Sequence, residues 1–569
     1  MVTVQAGPVA TRPHDRFLPV TSPAPRLRPR TSARLTLERL IEGMAAVDGT
    51  AGPGGATATG DVVVTGVGAD NRTVAPGDLF VALPGAHVHG ARFVADAVAA
   101  GAVAVVTDDA GARLLADRGA TPAVPVVVVP DPRAALGVLA ARAYGEPTAR
   151  LATFAVTGTN GKTTTTYALD AVLAALGRTT GLVGTVEIRS AGRVVPSALT
   201  TPEAADLQAI LATMVDDGVD SLAMEVSSHA LALHRVDPVV YDVAGFTNLS
   251  QDHLDFHGTL DAYFDAKATL FTPTHARRGV VVVPADGPGR AWALRLLDRA
   301  TVPVVPLRLP GAQAPGDGWT VEDVADAPDG QHLVLVHDDG RRLAARTTLP
   351  GAFNVANVAL ALAMVVESGV GTDVLADAVE RAGGVAPTVP GRMETVSDGV
   401  GPRVVVDFAH NPDALALALD ALRPTTTGRL VVVFGATGER DTGKRPTMGR
   451  VAVERADVVV VTDDDPHGED PAPIRAEVLD GARGARDAQA RVTLVEVAPR
   501  AAAIRQAVLG AADEDTVLVA GRGHEIWQEI DGVNHPLDDR VEARAALAAR
   551  KAETRPVGGD AAPTGEQDA

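Results

Sequence analysis

The chain has 569 residues, 46% of them hydrophobic, a formal net charge of −20 and no cysteine. That length leaves room for about three domains with real cores. The acidic balance argues against a general binder of nucleic acid or anionic membrane, though a local basic pocket stays possible. Without cysteine there is no disulfide, no Cys-ligated zinc and no thiolate chemistry. No apolar run reaches the ~18 residues of a membrane helix, and the opening MVTVQAGPVATRPHDR has no signal-peptide core. The expectation is a cytoplasmic monomer with no membrane insertion and no nucleic-acid partner.

Residues 1–35 are Pro/Arg-rich and aperiodic, which predicts a disordered arm. A short helix is expected over 35–44 and a first strand at 62–64. The segment 69–85 carries a turn at Pro76-Gly77 and a strand at 79–83. His89-Gly90 leads into a helix over 92–100, strands at 102–106 and 126–129, and a helix over 133–144. This is a small α/β domain, bounded at 36–150. From 151 to 390 strands at 181–187, 221–226, 243–246 and 280–283 alternate with helices, the pattern of a mostly parallel sheet with crossover helices. Alternation at 319–324, 332–336 and 342–347 predicts an antiparallel insertion, followed by a helix over 354–368. A third, Rossmann-like domain is expected over 391–550, with strands at 404–407, 430–434, 458–461 and 517–520 and a helix over 412–422. Residues 551–569 read as a disordered tail.

The strongest chemical signal is Val156 to Thr166, VTGTNGKTTTT. A buried strand runs into Gly158-Thr159-Asn160-Gly161-Lys162-Thr163 and then a helix, expected over 167–175, which is the layout of a phosphate-binding loop. Glycines let backbone N–H groups approach phosphate oxygens, and a helix N-terminus adds partial positive charge. Lys162 is placed to reach terminal phosphates and the Thr163 hydroxyl to reach Mg²⁺. Only two residues separate Gly158 from Gly161, fewer than in the usual loop. Lysine occurs only at 162, 267, 444 and 551, every other Lys/Arg position being arginine. A lysine in such a chain suggests a chemical reason for choosing it.

Other stretches add weaker signals. Glu225-Val226-Ser227-Ser228-His229 ends a strand, where a carboxylate suits Mg²⁺, although such a Glu/Ser cluster also reads as helix capping. The segment 248–257, NLSQDHLDFH, places Asp252-His253 ahead of Lys267. An ammonium there would be repelled by a metal, so Lys267 would need modification to join it. Thr200-Thr201 could donate to a pyrophosphate. Asn354 and Asn357 share a helix face. Gly391-Arg392-Met393-Glu394 marks the end of the second domain, Asp407 to Pro412 joins a strand to a helix, and Arg440-Asp441 with Lys444-Arg445 clusters charge.

In their order, GTNGKTT, LTTP, MEVSSHAL, FTNLSQDHLDFH, LPGAFNVAN, VPGRME, VDFAHNPDAL, ERDTGKRP and GRGHE resemble the Mur ligases. The closest likeness is to the MurE type, which adds the third stem-peptide residue to UDP-N-acetylmuramoyl-L-alanyl-D-glutamate. The likeness spans residues 60–545. It implies a UDP-binding first domain, a central ATP-binding domain and a C-terminal amino-acid-binding domain, working with ATP and Mg²⁺. It further implies that Gly158 to Thr164, Asn357, Arg392 and Asp407 bind ATP. Thr163, Glu225, His253 and a carbamylated Lys267 serve the metal, with Lys162, Lys267 and His253 catalytic. Asn71, Arg72, His89, Thr200, Thr201, Ser228 and Arg235 contact the nucleotide-sugar dipeptide, Asn71 standing where the family has serine. Arg440, Asp464, Asp465, His467, Gly521 and Glu525 hold the incoming amino acid.

Diaminopimelate-adding members of that family carry Asp-Asn-Pro-Arg where this chain reads Asp464-Asp465-Pro466-His467. With the arginine missing and three acids at 463–465, the expected third residue is L-lysine or L-ornithine, with diaminopimelate the alternative. A folylpolyglutamate-synthetase-like amide ligase, and a non-catalytic nucleotide-binding regulator, are the other readings. The first domain and MEVSSHAL argue against the one; the other would require a lost phosphate or metal residue, and none is lost.

Overall fold

The computed structural model describes residues 28–30, 32–44, 60–85, 88–117, 122–196, 199–327, 330–439, 441–486 and 492–554. Two compact units divide the chain, one holding residues 32–139 and the other 140–569.

The first unit is built on four parallel strands in sequence order, Gly66–Gly68, Asp78–Val81, Ala104–Thr107 and Val126–Val128. Val63–Val64, expected to open this sheet, instead pairs with Leu35–Thr36 in a separate two-stranded sheet. The arm thus acquires order before residue 36. Arg28 also forms an ion pair with the buried Asp78 at 2.7 Å. The rest of the expected arm, residues 1–27 and 31, lies outside the described residues, as does the tail from 555. Residues 551–554, expected in that tail, complete the helix Asp539–Thr554.

The second unit carries two sheets. The larger has eleven strands. Its centre is parallel, in the order Thr180–Val183, Ser221–Glu225, Ala152–Thr157, Val243–Phe246, Gly279–Val283 and Val304–Arg308. The hairpin Glu187–Ser190/Arg193–Pro196 extends one edge. On the other edge Trp319–Ala327, Gly330–His337 and Arg342–Thr347 run antiparallel to one another. They continue the same sheet instead of forming a separate insertion, since Trp319 pairs in parallel with Leu307. The helices Lys162–Ala175 and Ala352–Glu367 pack on this sheet through Leu169, Val172, Leu360 and Met364, all buried. The second helix is Ala/Val-rich and buried almost throughout from Asn354 to Val366, as a helix apolar all round must be.

The smaller sheet has six strands in the order Glu394–Thr395, Arg403–Asp407, Thr516–Ala520, Leu430–Phe434, Val458–Val461 and Thr493–Glu496, parallel except at the first pair. Its four central strands are valine-rich and buried on both faces, between two apolar clusters, as a helix-covered parallel sheet requires. Among the described residues no helix is long and apolar enough to cross a membrane.

Candidate active site

A cleft in the second unit is lined from the central sheet by the 159–164 loop, Thr185, Thr200, Glu225, Asp252 and His253. From the other sheet it receives Arg392, Asp407, Phe408 and His410. The ends of parallel strands are where an open α/β sheet exposes its loops to ligands.

The loop is shaped by its glycines. Gly158 has φ +149° and Gly161 φ +86°, values few side chains tolerate. A Cβ on Gly158 would strike Thr247, and one on Gly161 would strike Asn357. The helix starts at Lys162, five residues earlier than its apolar pattern indicates, and the four threonines that follow are buried. Lys162 Nζ donates to the carbonyls of Gly158 (3.0 Å) and Thr159 (2.8 Å). Burial lowers its pKa, opposed by Glu225 and Asp252. Asn160 is fixed by Asn248, whose side chain accepts from its N–H at 3.0 Å, and it accepts from Asn411 of the other sheet at 3.3 Å. Thr163 Oγ1 lies 3.5 Å from Arg392. Asn357 accepts from Thr165 and donates to Asn354, so the two asparagines do share a face.

Glu225 ends its strand fully buried. The capping role that competes for this segment belongs to Ser227, whose Oγ accepts from Ala230 N. Both Glu225 oxygens accept from Thr185, at 2.9 Å each. Burial brings the His253 imidazole down to about 4, against the pull of Asp252. Asp252 lies well below the usual carboxylate range. Burial opposes that shift, and the His410 hydrogen bond followed by the charges of His410, His253 and Lys444 produces it. Lys267 is 1% exposed, donates to Gly158 O at 2.7 Å and sits 4.6 Å from the Tyr263 ring centroid. Burial, then the charge of Lys162, holds its pKa well below the ordinary lysine value.

Among the described residues no three His, Asp or Glu side chains are gathered closely enough to hold a metal by themselves. The donor chemistry still fits Mg²⁺, which takes one or two carboxylates and completes its shell with phosphate oxygens and water. Glu225 offers a carboxylate with lone pairs left over, and His253 is uncharged.

Arg392 stacks its guanidinium 4.1 Å from the Phe408 ring centroid. Asp407 accepts from Met393 N (2.7 Å) and Ala409 N (3.0 Å), with its pKa raised by burial against the Arg392 charge. The Thr201 hydroxyl is committed, donating to Glu225 O and accepting from Ser227 N. Ser228 is 2.9 Å from His257, and Arg235 pairs with Glu203 at 2.8 Å.

In the first unit, Asn71 and Arg72 form a short helix capped by Asp70, to which Arg72 is paired at 2.7 Å. The His89 ring accepts from Ala91 N through Nδ1, so Nε2 carries the proton and donates to Asp108 at 2.9 Å.

Two of the three acids at 463–465 are already matched by arginines. Asp463 pairs with Arg475 and Asp465 with the fully buried Arg522. Asp464 lies 4.0 Å from the same guanidinium. Glu525 is 3.5 Å from Arg522, and burial pushes its carboxyl up to about 8, with Asp464 and Asp465 adding to the rise and Arg522 opposing it. Gly521, at φ +120°, passes so close to Asp464 that a Cβ would collide with its carboxylate. His467 pairs with Glu529 at 3.1 Å. Arg440 lies outside the described residues. Two site residues were invisible to motif reading. Thr185 follows a strand in a plain Gly-Thr turn, and Arg522 lies inside GRGHE, where its partners are distant in sequence.

The fold and this cleft define a phosphate-binding-loop ligase that works between two α/β sheets. Three family descriptions match: Mur ligase family, catalytic domain, over residues 63–144; Mur ligase middle domain over 156–365; and Mur ligase, glutamate ligase domain, over 391–523. A 2,6-diaminopimelate ligase for UDP-N-acetylmuramoyl-L-alanyl-D-glutamate from Streptomyces coelicolor is 45% identical over 529 residues, 93% of this chain and 99% of the relative. A UDP-N-acetylmuramyl-tripeptide synthetase from Leifsonia xyli is 45% identical over 490 residues, 85% of this chain and 92% of the relative. A solved UDP-N-acetylmuramoyl-L-alanyl-D-glutamate–2,6-diaminopimelate ligase superposes with a TM-score of 0.59 at 30% identity, covering 91% of this chain and 99% of that one. The chain belongs to the Mur ligase family.

Proposed function

We propose that the protein joins 2,6-diaminopimelate to UDP-N-acetylmuramoyl-L-alanyl-D-glutamate at the expense of ATP in peptidoglycan synthesis. The observation that carries this reading is the cleft itself, with a phosphate loop and Glu225 on adjacent strand ends and Arg392 with Asp407 facing them from the other sheet. A D-glutamate carboxylate oxygen attacks the γ-phosphorus, the bond to ADP breaks, and an acyl phosphate forms. The amine of the incoming residue then attacks the acyl carbon, and the tetrahedral adduct expels phosphate and loses a proton. Lys162 and the 158–164 backbone hold the phosphates, while Arg392, Asn357 and Asp407 place the nucleotide. Thr200, Thr201, Ser228 and Arg235 serve the nucleotide-sugar dipeptide, and within the first unit Asn71, Arg72 and His89 are the proposed uridine-diphosphate contacts. Thr163, Glu225, His253 and Lys267 would hold Mg²⁺, which when bound neutralises charge on the phosphate oxygens. Burial lowers the Lys267 pKa and so favours the uncharged amine, the form that adds CO₂. The carbamate so formed turns a repelled cation into an anionic oxygen donor.

The choice of diaminopimelate revises the expectation of lysine or ornithine. That expectation needed a free acidic run at 463–465, whereas Arg475 already pairs with Asp463 and Arg522 with Asp465. The names of relatives such as the Streptomyces enzyme point the same way. Asp464, Asp465, His467, Gly521 and Glu525 remain the proposed amino-acid site, together with Arg440, which lies outside the described residues. The test is product formation and kcat/KM with the UDP-dipeptide, ATP and each of meso-diaminopimelate, L-lysine and L-ornithine at pH 8. Preference for diaminopimelate is expected; preference for either monocarboxylate would reverse the assignment.

A further inference from the structure

Thr185 sits where two parallel strands end side by side. Thr180–Val183 and Ser221–Glu225 are neighbours, with Val183 opposite Met224. The turn after the first strand therefore meets the last residue of the second. Gly184 permits that meeting, because a Cβ there would run into the Glu225 carboxylate. Thr185 then donates its N–H to Glu225 Oε1 and its hydroxyl to Oε2. A carboxylate only accepts, so the one Thr185 hydroxyl proton goes to it. The Thr200 hydroxyl, 3.1 Å away, must accordingly donate to Thr185. Both donors of Thr185 are used on a carboxylate that is itself fully buried.

We infer that Thr185 is a positioning residue that aims the Glu225 carboxylate into the cleft and so sets the metal side of the site. The inference rests on the ligase reading for the nature of the cation and for nothing else.

The test uses the full chain with Mn²⁺ as probe and a non-hydrolysable ATP analogue, free Mn²⁺ being followed by electron paramagnetic resonance. Thr185→Val is expected to weaken Mn²⁺ binding about tenfold or more while Thr185→Ser stays within about twofold, the scale on which outer partners of metal ligands act. Thr185→Ala, which keeps the backbone donor, replaces valine if the valine protein melts early, and a clear loss is expected there too. Wild-type Mn²⁺ affinity in the valine and alanine proteins would overturn the positioning role. If the unaltered protein binds Mn²⁺ and analogue yet makes no tripeptide product, the substrate reading fails while the Thr185 result still stands.

Discussion

At the scale of single residues, Lys267 shows how a sequence signal and a structural one combine. Its rarity singled it out, and burial now explains how the pKa of an amine beside a phosphate loop is lowered. Lys267→Ala should nearly abolish turnover, and a short-chain carboxylic acid added to the assay should restore part of it; full activity without the acid would end the carbamate reading. Glu525 gives a pH prediction. Its carboxyl is raised to about 8, so in the free protein it carries a proton at neutral pH. An ammonium is gripped by the ionised form, so the amino-acid KM should fall as pH rises from 7 through 8 and level off above. Glu525→Gln should show a high KM with no such slope. The acids at 463–465 mark the limit of residue-level reading. Their charge was legible, but their partners lie 12 residues away at Arg475 and 57 away at Arg522, and nothing local announces such pairings.

At the scale of elements, the regular strands were the easiest to foresee. The valine runs at 430–434 and 458–461 and the strand at 243–246 coincide with their expected limits, because a strand buried on both faces needs an unbroken apolar run. The stretch 181–187 was read as one strand and is two, Thr180–Val183 and Glu187–Ser190, broken at the turn that brings Thr185 to Glu225. Apolar patterning does not register a turn whose purpose is a hydrogen bond. The last helix offers a stability test. Asp539 at its start is fully buried against Arg500, with bonds of 2.8 and 2.7 Å, and Arg500 also donates to the carbonyls of Asp463 and Ala520. Asp539→Ala leaves a buried guanidinium unmatched, which costs about 3–5 kcal/mol. A lowered melting temperature with the helix detached is expected, and a melting curve identical to wild type would show that the pair is dispensable.

At the scale of the whole molecule, motif order alone indicated the ligase family and its α/β architecture, and the family matches along the chain agree. The ends were harder to place, since ion pairs and helix continuation there leave little trace in composition. A chain trimmed to 28–554 should keep its melting temperature and turnover. Trimming to 36–550 removes Arg28 from the buried Asp78 and shortens the last helix, and a measurable loss of melting temperature is expected. Equal stability of the two trimmed chains would show that the Arg28 pair contributes nothing.

The scarcity of lysine makes this protein its own reporter. Beyond the terminal amine, an acylating reagent finds four side-chain targets in four different settings. Lys551 is partly exposed beside Asp398, Lys444 stands at a helix start, Lys162 sits in the cleft, and Lys267 is sealed beneath the loop. Peptide mapping after brief labelling would therefore read, from one digest, surface access, nucleotide occupancy and the chemical state of the buried amine.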